Sequence, residues 1–105
     1  MIEEIIKALN IKVTHTEKAY IPITAKRRAR GASRWSYMEH RGEILLANTA
    51  TERTKLHEVG HIVNFMLGNG NRISDQLGIE SEKFADIMAD AIETLIKSAK
   101  QEKED

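Results

Sequence analysis

Two pairs of metal-competent side chains, each spaced by four residues, restrict the folds open to this 105-residue chain. The first pair is His57 and His61, within His57-Glu58-Val59-Gly60-His61. The second is Glu82 and Asp86, within Glu82-Lys83-Phe84-Ala85-Asp86. Side chains at i and i+4 come together when the segment is an α-helix, where they stand one above the other on a single face. Each pair is therefore a unit only if its segment is helical, and the two units can meet only if the helices pack together.

Both segments carry helix signals. Thr49-Ala50-Thr51-Glu52 reads as a capping box, with Thr49 at the N-cap and Glu52 at N3. Leu56, Val59, Val63 and Leu67 then recur at helical spacing, widened by Ile62 and Met66, and Gly68 is a candidate C-cap. His57, His61 and Asn64 fall on a different face from Leu56, Val59 and Val63. In the second segment Phe84, Ile87, Met88, Ala91, Leu95 and Ile96 form an apolar stripe running to about Ser98. Ala85 and Ala89 form a strip of small residues that would let this helix approach the first one closely.

On such a helix His57 and His61 can offer two imidazoles to one metal ion, and Glu58 beside them can reach a water on that ion. A catalytic zinc site keeps three protein ligands and one open position. Glu82, twenty-one residues after His61, is the expected third ligand. Glu80 is the alternative, but it stands at the expected helix start and has no carboxylate four residues on. Asp86 would accept the free ring N–H of a ligand histidine, His57, and so fix its tautomer. Taken singly, either pair describes a solvated helix face. Two such pairs at this separation describe one site.

These motifs carry a family resemblance. His-Glu-x-x-His followed by Glu-x-x-Ala-Asp resembles the gluzincin-type zinc metallopeptidases. The lead-in Gly42-Glu43-Ile44-Leu45-Leu46-Ala47-Asn48, then Glu52-Arg53, resembles the ImmA/IrrE family, in which a short strand ending near an Asn leads into an arginine-bearing active-site helix. The resemblance covers roughly residues 30 to 95 and departs from that family at Leu56, commonly a small residue, and at Met88, often Phe. The Glu-x-x-Ala-Asp string is also similar to that of HtpX-like membrane peptidases and of small soluble minigluzincins, and the latter match this chain in size. The resemblance implies a zinc-dependent endopeptidase with one Zn²⁺ per chain, Glu58 as general base, and a protein or peptide substrate. In the ImmA/IrrE family that substrate is often a regulatory repressor. The alternative expectation is a latent or non-catalytic zinc-binding regulatory module.

Length and composition bound the rest. A chain of this size builds one modest core, so residues 1–98 are expected to form a single domain, with 99–105 a charged, flexible tail. Net charge is zero, which gives no global case for a nucleic-acid partner. There are no cysteines, excluding disulfides, thiolate metal sites and cysteine nucleophiles. The start, Met1-Ile2-Glu3-Glu4-Ile5-Ile6, is acidic and amphipathic, unlike a signal peptide. No apolar run approaches the roughly 18–20 residues that span a bilayer. No membrane association and a cytoplasmic location are the expectations.

Along the chain, Ile2 to Leu9 reads as a short amphipathic helix, and Ile11 to Thr16 alternates like a strand. Tyr20 to Thr24 is extended, and Pro22, the only proline, argues for an edge or a loop. Lys26 to Arg30 reads as a charged connection closed by Gly31. Arg34 to Glu39 and Glu43 to Ala47 read as a hairpin, joined by the strand at 11–16. Gly68-Asn69-Gly70-Asn71 is a turn cluster. The expected fold is α+β: an N-terminal helix, a small mainly antiparallel sheet, and two packed helices carrying the metal.

Other candidates follow from this arrangement. Lys26, Arg27, Arg28, Arg30 and Arg34 put five basic residues in nine, a solvated loop, or a grip on acidic substrate segments or on nucleic acid if the substrate is DNA-bound. An edge strand lining the cleft could bind an extended substrate by strand addition, and Trp35, Ser36 and Tyr37 are the residues placed there. His15 or His40 could stabilise an oxyanion. Asn64 is positioned for a local hydrogen bond, and Asp90, one turn beyond Asp86, for supporting it or facing solvent.

Overall fold

The computed structural model describes residues 2–68 and 71–104, with no side-chain account of 102–104. The fold is α+β, as expected. A short helix α1 (Ile2–Ala8) precedes strand β1 (Ile11–His15). A two-stranded hairpin follows, β2 (Ile21–Thr24) and β3 (Arg27–Ala29), and then strands β4 (Gly31–Ser36) and β5 (Arg41–Leu46). Three helices complete the chain: α2 (Glu52–Leu67), α3 (Ile73–Leu77) and α4 (Ser81–Glu104).

The principal sheet has the order β1-β5-β4. β4 and β5 pair antiparallel, Gly31 opposite Leu46 and Ser36 opposite Arg41. β1 joins the other edge of β5 in parallel, Ile11 beside Gly42 and His15 beside Leu46. The sheet is thus mixed rather than purely antiparallel. Alternation sorts β5: Ile44 and Leu46 are buried and Leu45 is turned outward. They pack with Ile2, Ile6, Ile11, Leu56, Val59 and Ile62 in one core. Burying a side chain the size of Ile44 or Ile62 contributes about 1.5–3 kcal/mol. α2 lies in the middle, against β4 and β5 on one side and α4 on the other. The residues that hold the fold and those of the site therefore share one helix.

Several elements differ from their sequence expectation. The capping box closes two residues later than expected, with Thr51 at the N-cap and Thr54 at N3. Thr54 N–H donates to Thr51 Oγ1 at 3.2 Å, and Thr51 N–H donates to Thr54 Oγ1 at 3.1 Å. Thr49 is unavailable for that role because its hydroxyl donates to the Ala19 carbonyl. The charged run read as a connection contains β3, which pairs with β2 through Ile21–Ala29 and Pro22–Arg28. β2 has no other neighbour among the described strands, so Pro22 sits on an edge. The β4–β5 hairpin begins earlier on both strands than the apolar pattern suggested, and residues 37–40 form its turn.

α4 buries a different stripe from the expected one. Phe84, Ala85 and Ala89 are buried, with Met88, Ile92 and Ile96 half-buried, whereas Ile87, Ala91 and Leu95 are exposed. The helical backbone also continues past Ser98 to Glu104. Lys, Gln and Glu are good helix formers even without an apolar face to bury. α3 was not anticipated: its five residues are too few for a periodic signal. It is anchored by Asn64, fully buried on α2, whose side chain donates to Ser74 Oγ at 2.9 Å and accepts from Ser74 N–H at 2.8 Å. Asn64 thus hydrogen-bonds to another element. Asn69 and Gly70 of the turn cluster lie outside the described residues.

Candidate metal centre

α2 and α4 pack antiparallel, and their approach is set by small residues. A Cβ built on Gly60 would lie 2.6 Å from the Ala85 carbonyl oxygen and 2.8 Å from Ala85 Cα. Only glycine permits backbones this close. The ligand faces are thereby brought into register, each turn up α2 matching one turn down α4. Arg53 faces Asp90, His57 faces Asp86 and His61 faces Glu82.

His57, His61 and Glu82 converge. His57 Nε2 lies 2.9 Å from Glu82 Oε2 and 3.1 Å from His61 Nε2, and His61 Nε2 is 3.2 Å from Glu82 Oε1. Each offers one ligand atom within 4.8 Å of the others. Bonds of about 2.0–2.1 Å in a tetrahedral zinc site place neighbouring ligand atoms about 3.3 Å apart, close to the spacing found. On its other ring nitrogen, His57 Nδ1 lies 2.8 Å from Asp86 Oδ1. A carboxylate only accepts, so Nδ1 carries the proton there, and in the tautomer with that single proton Nε2 presents a lone pair. Nε2 of that tautomer is turned toward His61 and Glu82. The donor set fits a divalent ion, so these three residues could hold one.

The acid that orients His57 is itself held. Arg53 donates through Nη1 to Asp90 Oδ1 at 2.7 Å and to Glu93 Oε2 at 3.1 Å, and through Nη2 to the Asp86 backbone carbonyl at 3.3 Å. The hydrogen bond to Asp90 is the main cause of the upward shift of the Arg53 pKa, so the guanidinium remains charged. Asp90 therefore supports Asp86 through Arg53. The four-residue spacing within each helix was readable in the sequence, but the pairing of Arg53 with Asp90 was not, and Arg53 stood out there only through the family resemblance. Asp86→Asn keeps an acceptor but removes its charge. It should weaken zinc affinity about 10–100-fold in a competitive chelator titration. Unchanged affinity together with unchanged activity would remove Asp86 from this role.

Glu58 is 7 % exposed and lies under the start of β4. A Cβ on Gly31 would stand 3.0 Å from Glu58 Cγ and 3.3 Å from its Oε2, so the glycine makes room for this side chain. Glu58 has no hydrogen-bond or ion-pair partner among the described residues, and its oxygens are not sealed off. Glu58 lines a cleft of about 720 Å³ together with His57, His61, Glu82 and Asp86.

The far wall of that cleft is a correction to the expected one. Trp35, Ser36 and Tyr37 are not among its lining residues; the residues from Ala29 to Ser33 take that place. Trp35 instead packs partly on the core and meets His40 edge-on at 5.0 Å, and Trp35 and Ser36 border a separate depression. The strand that borders the cleft is the expected one, β4, but its opposite end. β4 starts at Gly31, and a residue without a side chain gives no apolar signal. Neither His15 nor His40 lines the cleft. Glu80, the alternative ligand, is exposed and is not one of the convergent group. Arg72, from the segment after the turn cluster, lines the cleft with no sequence motif to mark it.

Comparison with known proteins gives no match to a family model, to a curated sequence or to a solved structure. No helix among the described residues is long and apolar enough to cross a membrane.

Proposed function

We propose that this chain is a zinc-dependent endopeptidase of gluzincin type, similar to the ImmA/IrrE proteins or to the minigluzincins, acting on a protein or peptide. The observation that carries the reading is the convergence of His57, His61 and Glu82 in one cleft with the carboxylate of Glu58. A site that only stabilised the fold would not need a second, unpartnered carboxylate beside the ligands.

His57, His61 and Glu82 would hold the ion. Bound there, zinc would supply an acidified water at neutral pH and a Lewis acid for the peptide carbonyl. Asp86 keeps the proton on His57 Nδ1, leaving Nε2 free to ligate. β4 pairs only with β5 among the described strands, so its other edge is open to an extended peptide at Gly31–Ser33. Glu58 takes a proton from water as its oxygen adds to the scissile carbonyl carbon. When the C–N bond breaks, Glu58 delivers that proton to the leaving amine nitrogen.

The test begins with metal. Purified protein should contain about one zinc per chain, and both His57→Ala and Glu82→Ala should lose it. The wild type should cleave an unfolded protein substrate, and a chelator should stop the reaction. A protein that neither contains zinc nor takes it up when offered would end this reading.

A further inference from the structure

The basic run of the sequence is divided by the fold. Arg34 pairs with Glu43 at 2.7 Å on the other side of β4, and Arg28 lies over the Tyr20 ring at 5.8 Å. Arg27 and Arg30 instead line the cleft that holds the metal site. Neither has an acidic partner among the described residues. The other two cleft arginines are engaged, Arg53 by Asp90 and Glu93, and Arg72 by Asp75 at 3.3 Å. Uncompensated positive charge in the cleft is therefore concentrated on the β3–β4 wall. Two exposed apolar side chains, Ile23 at 45 % and Phe65 at 41 %, line the same cleft.

The geometry points to a substrate class: extended peptide segments in which acidic side chains alternate with apolar ones, the acids read by Arg27 and Arg30. This assignment rests on the peptidase reading above. Arg27 lies in β3 and Arg30 at the bend between β3 and β4, so both long side chains reach one cleft from successive elements. They would address acids one or two alternations apart, about 7 or 14 Å, on an extended peptide laid beside β4. Guanidinium groups bind carboxylates through paired, charge-assisted hydrogen bonds, and the walls of a cleft screen such bonds less than open surface does. Glu58, Glu82 and Asp86 also line the cleft, but none of them pairs with Arg27 or Arg30, and a divalent ion held by His57, His61 and Glu82 would offset part of their negative charge. Ile23 and Phe65 give the intervening apolar side chains a surface to cover.

Binding is measured on zinc-loaded Glu58→Gln protein, so that it does not depend on turnover. The probes are a fluorescein-labelled peptide of alternating Glu and Leu, its Gln counterpart, its Lys counterpart, and a short duplex DNA. The Glu peptide should bind about tenfold more tightly than the Gln peptide, the size of two partly screened ion pairs. Adding Arg27→Gln and Arg30→Gln should erase that preference without changing zinc content. Charge reversal at both positions should transfer the preference to the Lys peptide. Equal binding of the Glu and Gln peptides, or a preference that survives loss of both arginines, would overturn the assignment. Tighter binding of the DNA, lost with the same arginines, would overturn it in favour of nucleic acid. Turnover of the same peptides by wild-type protein answers the other question. Charge-selective binding without cleavage would leave the acidic specificity standing and remove the peptidase.

Discussion

Glu58→Gln should retain zinc at the wild-type level and lose peptide hydrolysis by about 10²–10⁴-fold. The substitution keeps the shape of the side chain. It still fits beneath Gly31, where a Cβ would stand only 3.0 Å from Glu58 Cγ. It removes a negative charge from a side chain that is 7 % exposed and without a partner among the described residues, so it should not destabilise the fold. What it cannot do is accept and return a proton. Metal analysis and hydrolysis of one substrate, measured on the same preparation, separate the two roles. Wild-type cleavage by zinc-loaded Glu58→Gln would show that the base lies elsewhere.

Gly60→Ala should damage both stability and metal affinity. Alanine is the better helix former by about 1 kcal/mol, so on propensity alone the variant would be more stable. The new methyl, however, would sit 2.6 Å from a backbone oxygen of Ala85 and 2.8 Å from its Cα. No rotamer change relieves a contact with backbone, so α2 and α4 must move apart by roughly 1 Å. Overpacking of this kind costs about 1–3 kcal/mol, a sizeable part of the roughly 5–15 kcal/mol that holds a domain together. Since about 1 kcal/mol corresponds to about 4–8 °C at this size, a melting temperature lower by about 5–15 °C is expected. The same movement would widen the 2.9–3.2 Å spacing between the ligands on the two helices and weaken zinc binding. A variant with wild-type melting temperature and wild-type zinc affinity would show that the two helices are not in close contact here.

Much of the site was legible in the chain because its parts are local. Two histidines four apart, and two acids four apart, have a fixed relation on any helix, whatever surrounds it. The expectation for Asp86 followed from the same arithmetic, because an imidazole that gave one nitrogen to a metal would need an acceptor for the other, and Asp86 does lie 2.8 Å from His57 Nδ1. The wall opposite was not legible. β3 is only Arg27-Arg28-Ala29, too short to show apolar alternation, and it pairs with β2 alone among the described strands. Trp35 and Tyr37 drew attention as aromatics, but an aromatic side chain seeks burial as readily as a ligand. Trp35 packs partly on the core, while the cleft is bordered by residues without notable chemistry, Gly31 to Ser33.

The sequence by itself determined the α+β class, the helical placement of His57, Glu58, His61, Glu82 and Asp86, and the absence of any cysteine chemistry. Only the tertiary structure decided that α2 and α4 run antiparallel in a register that places Arg53 against Asp90, His57 against Asp86 and His61 against Glu82. It also decided that β4 offers Gly31 rather than Trp35 to the cleft, and that Arg27 and Arg30 reach that cleft while Arg34 is paired elsewhere. The division has a physical cause. Helix periodicity is set by bonds between residues four apart and can be read in a short window. The register between two helices is set by the close approach of Gly60 and Ala85 and by burial of the core on the other side of α2, interactions between segments far apart in the chain.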